Sequence, residues 1–197
     1  MTPEKLRDRV WFTRKAWIHA ESRLIKNEHH TQLLMVVYAA YTTCVSVVML
    51  KFPPKLEADK DLTDTALAVL SIILLALSLY LNTKAFKDRA ARFKQGYLDL
   101  HSIEHEAAAL TSSLTTNIAG PACTALSDRY NKALREVENH CTLDDSGGRV
   151  SAGSGLTSRH LTPAEMAQYY WWRLWRLGAL GLVYIAPAAA ALWFQLK

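Results

Sequence analysis

Charge, glycine and proline are all absent from two long stretches of this 197-residue chain, Thr31–Leu50 and Thr65–Thr83. A helix rising about 1.5 Å per residue needs about 20 apolar residues to cross a hydrocarbon core of about 30 Å, and a buried helix of a soluble bundle rarely needs so long an uncharged run. The pattern predicts a transmembrane hairpin, with Leu33–Phe52 and Leu62–Asn82 as its two arms and the charged loop carrying Pro53 and Pro54 between them. A third uncharged run, Leu177–Leu196, lies between Arg176 and Lys197 and is interrupted only by Pro187. Neighbouring helices can satisfy the carbonyl that a proline frees in a bilayer, so a third span is expected there.

Cysteine is scarce. Cys44, Cys123 and Cys141 stand at unrelated spacings, which excludes a disulfide framework or a zinc-ligand pattern and suits reduced thiols in a cytoplasm-facing protein. The first apolar run starts beyond residue 30 and no small-residue cleavage site follows it, which predicts a signal anchor rather than a removable leader. The sequence holds no G-x-x-x-x-G-K-[ST] loop, no G-x-G-x-x-G and no G-x-S-x-G. His101-Ser102-Ile103-Glu104-His105 does match the H-x-x-E-H order of inverted zinc proteases, and two histidines four apart share a helix face. No third ligand follows at a familiar spacing, so the segment reads as a solvated face or subunit contact, and the chain as neither an enzyme nor a cofactor protein.

What is present is charge of one sign beside the spans. Lys5, Arg7, Arg9, Arg14, Lys15, Arg23 and Lys26 precede the first; Lys84, Lys87, Arg89, Arg92 and Lys94 follow the second; Arg173 and Arg176 precede the third. The hairpin loop balances Lys51, Lys55 and Lys60 against Glu57, Asp59, Asp61 and Asp64. The positive-inside rule therefore places the N-terminus and residues 84–176 in the cytoplasm and the C-terminus outside.

Residues 3–30 read as one helix, with Thr2 as N-cap and Pro3 at the first helical position. Leu6, Val10, Thr13, Trp17, Ala20 and Leu24 alternate four-three spacings and form one stripe, and Trp11, Ile18 and Ile25 a second seam. Phe86, Ala90, Phe93, Tyr97 and Leu100 repeat the spacing, continuing to Glu104 and Ala107, which predicts one unbroken helix from about Leu62 to about Thr116 pairing antiparallel with residues 3–30. Gly120-Pro121 is expected to end it. Ala122–His140 reads as a shorter helix with Leu126, Tyr130, Leu134 and Val137 on one face, and the Ser/Gly-rich run through Ser158 as a flexible linker. Thr162-Pro163-Ala164-Glu165 is a capping box that starts a last helix. Tyr169, Tyr170, Trp171, Trp172 and Trp175 on it suit the headgroup level, with Arg173 and Arg176 snorkelling. The expected fold is an all-α membrane protein in which a long cytoplasmic helical stalk is continuous with the hairpin. Its parts are residues 1–117 for the stalk and hairpin, 118–161 for the short helix and linker, and 162–197 for the amphipathic helix running into a third span at 177–196.

Tyr38, Thr42 and Ser46 are spaced four apart on the first arm, and Ser71, Ser78 and Asn82 share a face of the second. Hydroxyls in lipid either bond neighbouring helices or line water, so these six are the candidate pore-lining residues. Three spans cannot enclose a wide pore, which calls for a closed homo-oligomer, most simply a tetramer. Arg14, Lys15, Arg23, Lys26, Lys84, Lys87, Arg89 and Arg92 are the candidate contacts for an anionic ligand, a nucleotide or short single-stranded oligonucleotide; anionic lipid and the positive-inside rule explain the same charges.

Arg14-Lys15-Ala16 leading to Ile18-His19-Ala20-Glu21-Ser22-Arg23-Leu24-Ile25 before the hairpin, and Lys84-Ala85-Phe86-Lys87-Asp88-Arg89-Ala90 running to Tyr97-Leu98-Asp99-Leu100 after it, resemble the SLATT family of SMODS and SLOG-associating two-transmembrane effectors of prokaryotic conflict systems. The resemblance covers about residues 5–110. It implies a pore-forming effector in the bacterial inner membrane that depolarises or permeabilises the cell during phage infection. It also implies control by the nucleotide product of a partner nucleotidyltransferase. Two other classes stay open: a membrane-anchored nucleotide-binding scaffold without conductance, and a metalloenzyme using His101, Glu104 and His105.

Overall fold

The structure, a computed structural model, describes residues 2–52, 57–112, 116–153 and 158–195. It is helical, with no strand among the described residues: α1 (Pro3–Lys51), α2 (Glu57–Thr83), α3 (Phe86–Ser112), α4 (Thr116–Glu136), α5 (Thr142–Ala152) and α6 (Pro163–Gln195). The protein is an all-α membrane protein. The loop residues Pro53, Pro54 and Lys55, and the end of the third expected span at Leu196 and Lys197, lie outside the described residues. The chain divides into two compact units, Met1–Lys26 with Phe86–Arg173, and Asn27–Ala85 with Leu174–Lys197.

The first unit has the larger core. Leu6, Val10, Trp17, Ala20 and Leu24 of α1 are buried against Ala90, Phe93, Leu100, Ile103 and Ala107 of α3 and Cys123, Leu126, Tyr130, Ala133 and Val137 of α4 and its end. The expected stripe on α1 is therefore the one that packs. Trp17 meets Phe93 edge-on at 6.2 Å, and Arg14 reaches Glu104, so α1 and α3 run antiparallel as their spacing predicts. Thr13 stands in the α1 stripe as a polar exception, and its hydroxyl bonds that of Tyr130 at 2.9 Å. The second seam is different from the expectation: α1 buries Phe12 and Ala16, while Ile25 is exposed.

Three expectations for this region are corrected. The helix from Leu62 to Thr116 is interrupted at Lys84 and Ala85, where the amides of these residues bond the carbonyls of Leu81 and Asn82 and Ala85 has φ +44°. Asn82 and Thr83 weaken a helix by offering it side-chain alternatives, and the Thr83 hydroxyl bonds the Tyr80 carbonyl. Gly120-Pro121 does not end a helix but lies inside α4, whose apolar face continues to Val137. Burial of that face offsets the bond a proline removes. Leu134, expected on the face, is exposed, and Ala133 takes its place. Finally, the Ser/Gly-rich linker contains α5, an 11-residue helix. Position 155 of that linker lies outside the described residues.

The capping box at the start of α6 forms as expected. The Thr162 amide donates to the Glu165 carboxylate at 2.8 Å and the Glu165 amide to the Thr162 hydroxyl at 3.3 Å. The Thr162 amide and the Thr162 hydroxyl, which donates at 3.0 Å, hold the Glu165 carboxyl below its ordinary value of 4.5.

The second unit combines the end of α1, all of α2 and the end of α6. Pro3–Lys51 and Lys60–Ser112, the latter counted across the Lys84–Ala85 turn, each contain an apolar window long enough to cross a membrane. Their large side chains point outward: Val36 is 64% exposed and Ile72 66%. An unpartnered apolar surface of this extent belongs in lipid or against other copies, not in water. The end of α6 lies along α1 in this unit, for the Tyr38 hydroxyl donates to the Val183 carbonyl at 2.9 Å and His30 bonds Tyr184 at 3.2 Å.

Candidate functional site

The eight cations singled out as ligand contacts separate into three groups. Three arginines already hold carboxylates of the chain: Arg14 with Glu104 at 3.0 Å, Arg23 with Asp144 at 2.8 Å and Arg89 with Glu138 at 2.8 Å. Lys15 lies over the Trp11 ring at 5.6 Å and Lys84 over Tyr80 at 4.7 Å. Lys26, Lys87 and Arg92 have exposed side chains. The arginines thus serve the packing of α1, α3 and α5. The acidic partners are 49 to 121 residues away for Arg89 and Arg23, so no local pattern could have named them.

The densest polar cluster lies where α5 sits on α1. Arg23 donates through Nε and Nη2 to the two oxygens of Asp144 at 2.8 and 2.9 Å, the two-pronged geometry that makes Arg–carboxylate pairs strong. Asp144 is 2% exposed and also accepts from the Cys141 amide and thiol. Burial alone would raise its carboxyl, but the bonds from Arg23 and Cys141 outweigh that and hold it below its ordinary 3.8. The same bond raises the Arg23 guanidinium. Nearby, His19 Nε2 and the Ser151 hydroxyl are 2.7 Å apart. The Ser151 hydroxyl has one proton and also reaches the Gly147 and Gly148 carbonyls at 3.0 and 3.3 Å; with that proton on a carbonyl, His19 is the donor between them and Nδ1 is bare. A serine activated for attack requires the opposite roles, with the histidine accepting.

Arg14 also organises the H-x-x-E-H segment. Its guanidinium can only donate, so the 2.7 Å contact to His101 makes Nδ1 of that ring an acceptor, and Glu104 is taken by the same arginine. His105 stacks edge-on against His101 at 4.5 Å. Among the described residues no group of three or more His, Cys, Asp or Glu side chains is arranged to hold a metal. Beside these residues a groove of about 340 Å³ is lined by Arg7, Asp8, Trp11, Phe12, Glu104, His105 and Ala108.

In the second unit the candidate pore-lining hydroxyls of Thr42, Ser46 and Ser71 bond carbonyls of their own helices, at Ala39, Thr42 and Leu67, each at 2.9 Å. Tyr38 is turned to α6, and Ser78 and Asn82 are exposed. A back-bonded hydroxyl keeps lone pairs that can accept from water or from another helix.

No curated protein and no solved structure matches the chain. A family model does match, and it extends the likeness seen around the hairpin through α4, α5 and nearly all of α6. With residues 2–193 matched and two helical stretches able to cross a bilayer, the chain belongs to the SMODS and SLOG-associating 2TM effector domain family 5, membrane effectors of anti-phage conflict systems.

Proposed function

We propose that this effector is non-catalytic and acts as a pore: copies assemble into a closed ring, most simply a tetramer, that permeabilises the bacterial inner membrane on infection. The observation that supports the reading most is the second unit, whose spans bury almost none of their apolar side chains while carrying hydroxyls at intervals of one turn. A single copy leaves that surface uncovered. Lipid covers the apolar faces and neighbouring copies bring the hydroxyl faces to a shared axis, where no buried charge is required for weakly selective passage of ions. The end of α6, the expected third span, meets the first arm at Val183 and Tyr184 and completes each protomer, with residues 84–176 cytoplasmic and the C-terminus outside.

Control comes from a nucleotide or short oligonucleotide made by a partner nucleotidyltransferase. Of the cationic candidates, Arg92 is the most direct test, since reversing Arg89 would also break its pair with Glu138. The experiment is ion flux from liposomes containing the full chain, with and without cyclic nucleotides and short oligonucleotides, beside an unrelated membrane anchor. Thr42→Leu and Ser46→Leu should lower flux several-fold while assembly persists, and Arg92→Glu should change the response to the active ligand class. No flux from inserted protein would favour a tethered nucleotide-binding scaffold. The back-bonding of the span hydroxyls is compatible with that role.

A further inference from the structure

The segment Thr142–Ala152 has little intrinsic reason to be a helix. Its sequence TLDDSGGRVSA contains two central glycines, each costing about 1 kcal/mol against alanine, and 11 residues are too few for a stable isolated helix in water. Its helicity comes from the seat on α1. A Cβ on Gly147 would stand 2.8 Å from His19 Nδ1, and one on Gly148 would stand 3.2 Å from the Ala16 amide nitrogen, so a side chain at 147 would displace the imidazole and one at 148 would crowd the α1 backbone. At one end Arg23 grips Asp144; at the other, Arg149 bridges Asp145 at 2.7 Å and Glu165 of α6 at 3.2 Å. The short helix therefore ties α1 to the first turn of α6, the helix that continues into the second unit.

His19 is the sensitive point of this seat. Its Nε2–H is spent on Ser151, and its bare Nδ1 lies against Gly147, which offers no side-chain acceptor. A second proton would have to sit on that nitrogen. The charged groups facing the ring are Lys15 and Lys26 of α1, which oppose a second positive charge, and Asp144 of α5, which favours it but is engaged by Arg23. Burial is the largest influence, and the net effect holds the ring below its ordinary value of 6.5.

We propose that α5 is a proton-released strap: it is helical only while seated on α1, and protonation of His19 unseats it and frees the first turn of α6. Because the seated ring binds a proton less readily than the free one, seating is at full strength above about pH 6.5 and weakens as the pH falls below that value, the unseated state taking up the extra proton. This inference does not depend on pore formation.

The test is amide hydrogen exchange of the full chain in membrane mimetics between about pH 5 and 7.5, the range where histidine titrates, corrected for intrinsic exchange. Protection across residues 143–152 should fall by up to about tenfold per pH unit towards acid, the limit for one proton, while α3 around Phe93 and Leu100 stays level. His19→Gln keeps a donor for Ser151 but cannot titrate, and should flatten the acid loss. Arg23→Gln should open α5 at every pH, which shows that exchange reports the seat. Wild-type α5 protection that is level with pH while Arg23→Gln opens it would overturn the proposal, as would an acid loss undiminished in His19→Gln.

Discussion

Gly96 of α3 makes the sharpest test of how the first unit is packed. A Cβ placed there would lie 2.5 and 2.9 Å from ring carbons of Trp17 and 2.8 Å from a methyl of Val137, against ordinary carbon contacts of about 3.5–4.0 Å. The indole would have to move by about 1 Å, yet it is fully buried with Phe93 edge-on beside it. Gly96→Ala gains about 1 kcal/mol of helix propensity and loses about 1–3 kcal/mol to overpacking, so the net runs from about zero to a loss of about 2 kcal/mol. For a chain of this size that lowers the unfolding midpoint by up to about 8 °C. Thermal unfolding followed by near-ultraviolet circular dichroism in detergent reads it. Gly178→Ala in α6 is the internal control, because nothing lies within 4 Å of its Cβ position and no proline follows it, so the propensity gain stands alone. A Gly96→Ala midpoint equal to or above that of Gly178→Ala would refute the assignment of Gly96 as the seat of Trp17.

The remaining expectations concern charge and backbone. Asp144→Asn leaves the Arg23 guanidinium half-buried beside a neutral amide; removing one partner of a buried pair costs about 3–5 kcal/mol, and the partial exposure of Arg23 reduces that to about 1–3, measurable as selective loss of protection in α5. Since the Asp144 carboxyl is held below 3.8, the stability it supplies is present above that value and is lost as the pH falls through and below it, and the acid limb of an unfolding titration should shrink in Asp144→Asn. Ala85→Gly should stabilise by about 0.5 kcal/mol. It relieves a left-handed conformation costing about 1–2 kcal/mol and adds about 0.5–1 of glycine entropy, and a lower denaturation midpoint would show that the turn is held some other way.

The spans were legible because the bilayer requirement is local: about 20 uncharged residues in a row identify themselves without reference to the rest of the chain. The α1 stripe from Leu6 to Leu24 and its α3 counterpart were legible for a related reason, since a helix repeats every 3.6 residues and a buried face must repeat with it. The capping box at Thr162 is likewise four consecutive residues whose bonds are made among themselves. The break at Ala85 escaped because no glycine marks its positive φ. The helix α5 escaped because its local composition argues for a loop, and the partners that make it a helix, Ala16, His19 and Arg23, lie more than 115 residues away.

By itself, then, the sequence determined an all-α membrane protein with an antiparallel helical pair and a family likeness, all of it carried by periodicity and run length. Only the tertiary structure decided which cations are already paired, what the glycines at 147 and 148 are for, and where the second helix of the hairpin stops. The arginine pairs and the glycine seat depend on contacts between residues far apart in the chain, and the stop depends on a positive φ that no glycine marks; neither helical period nor span length encodes any of these.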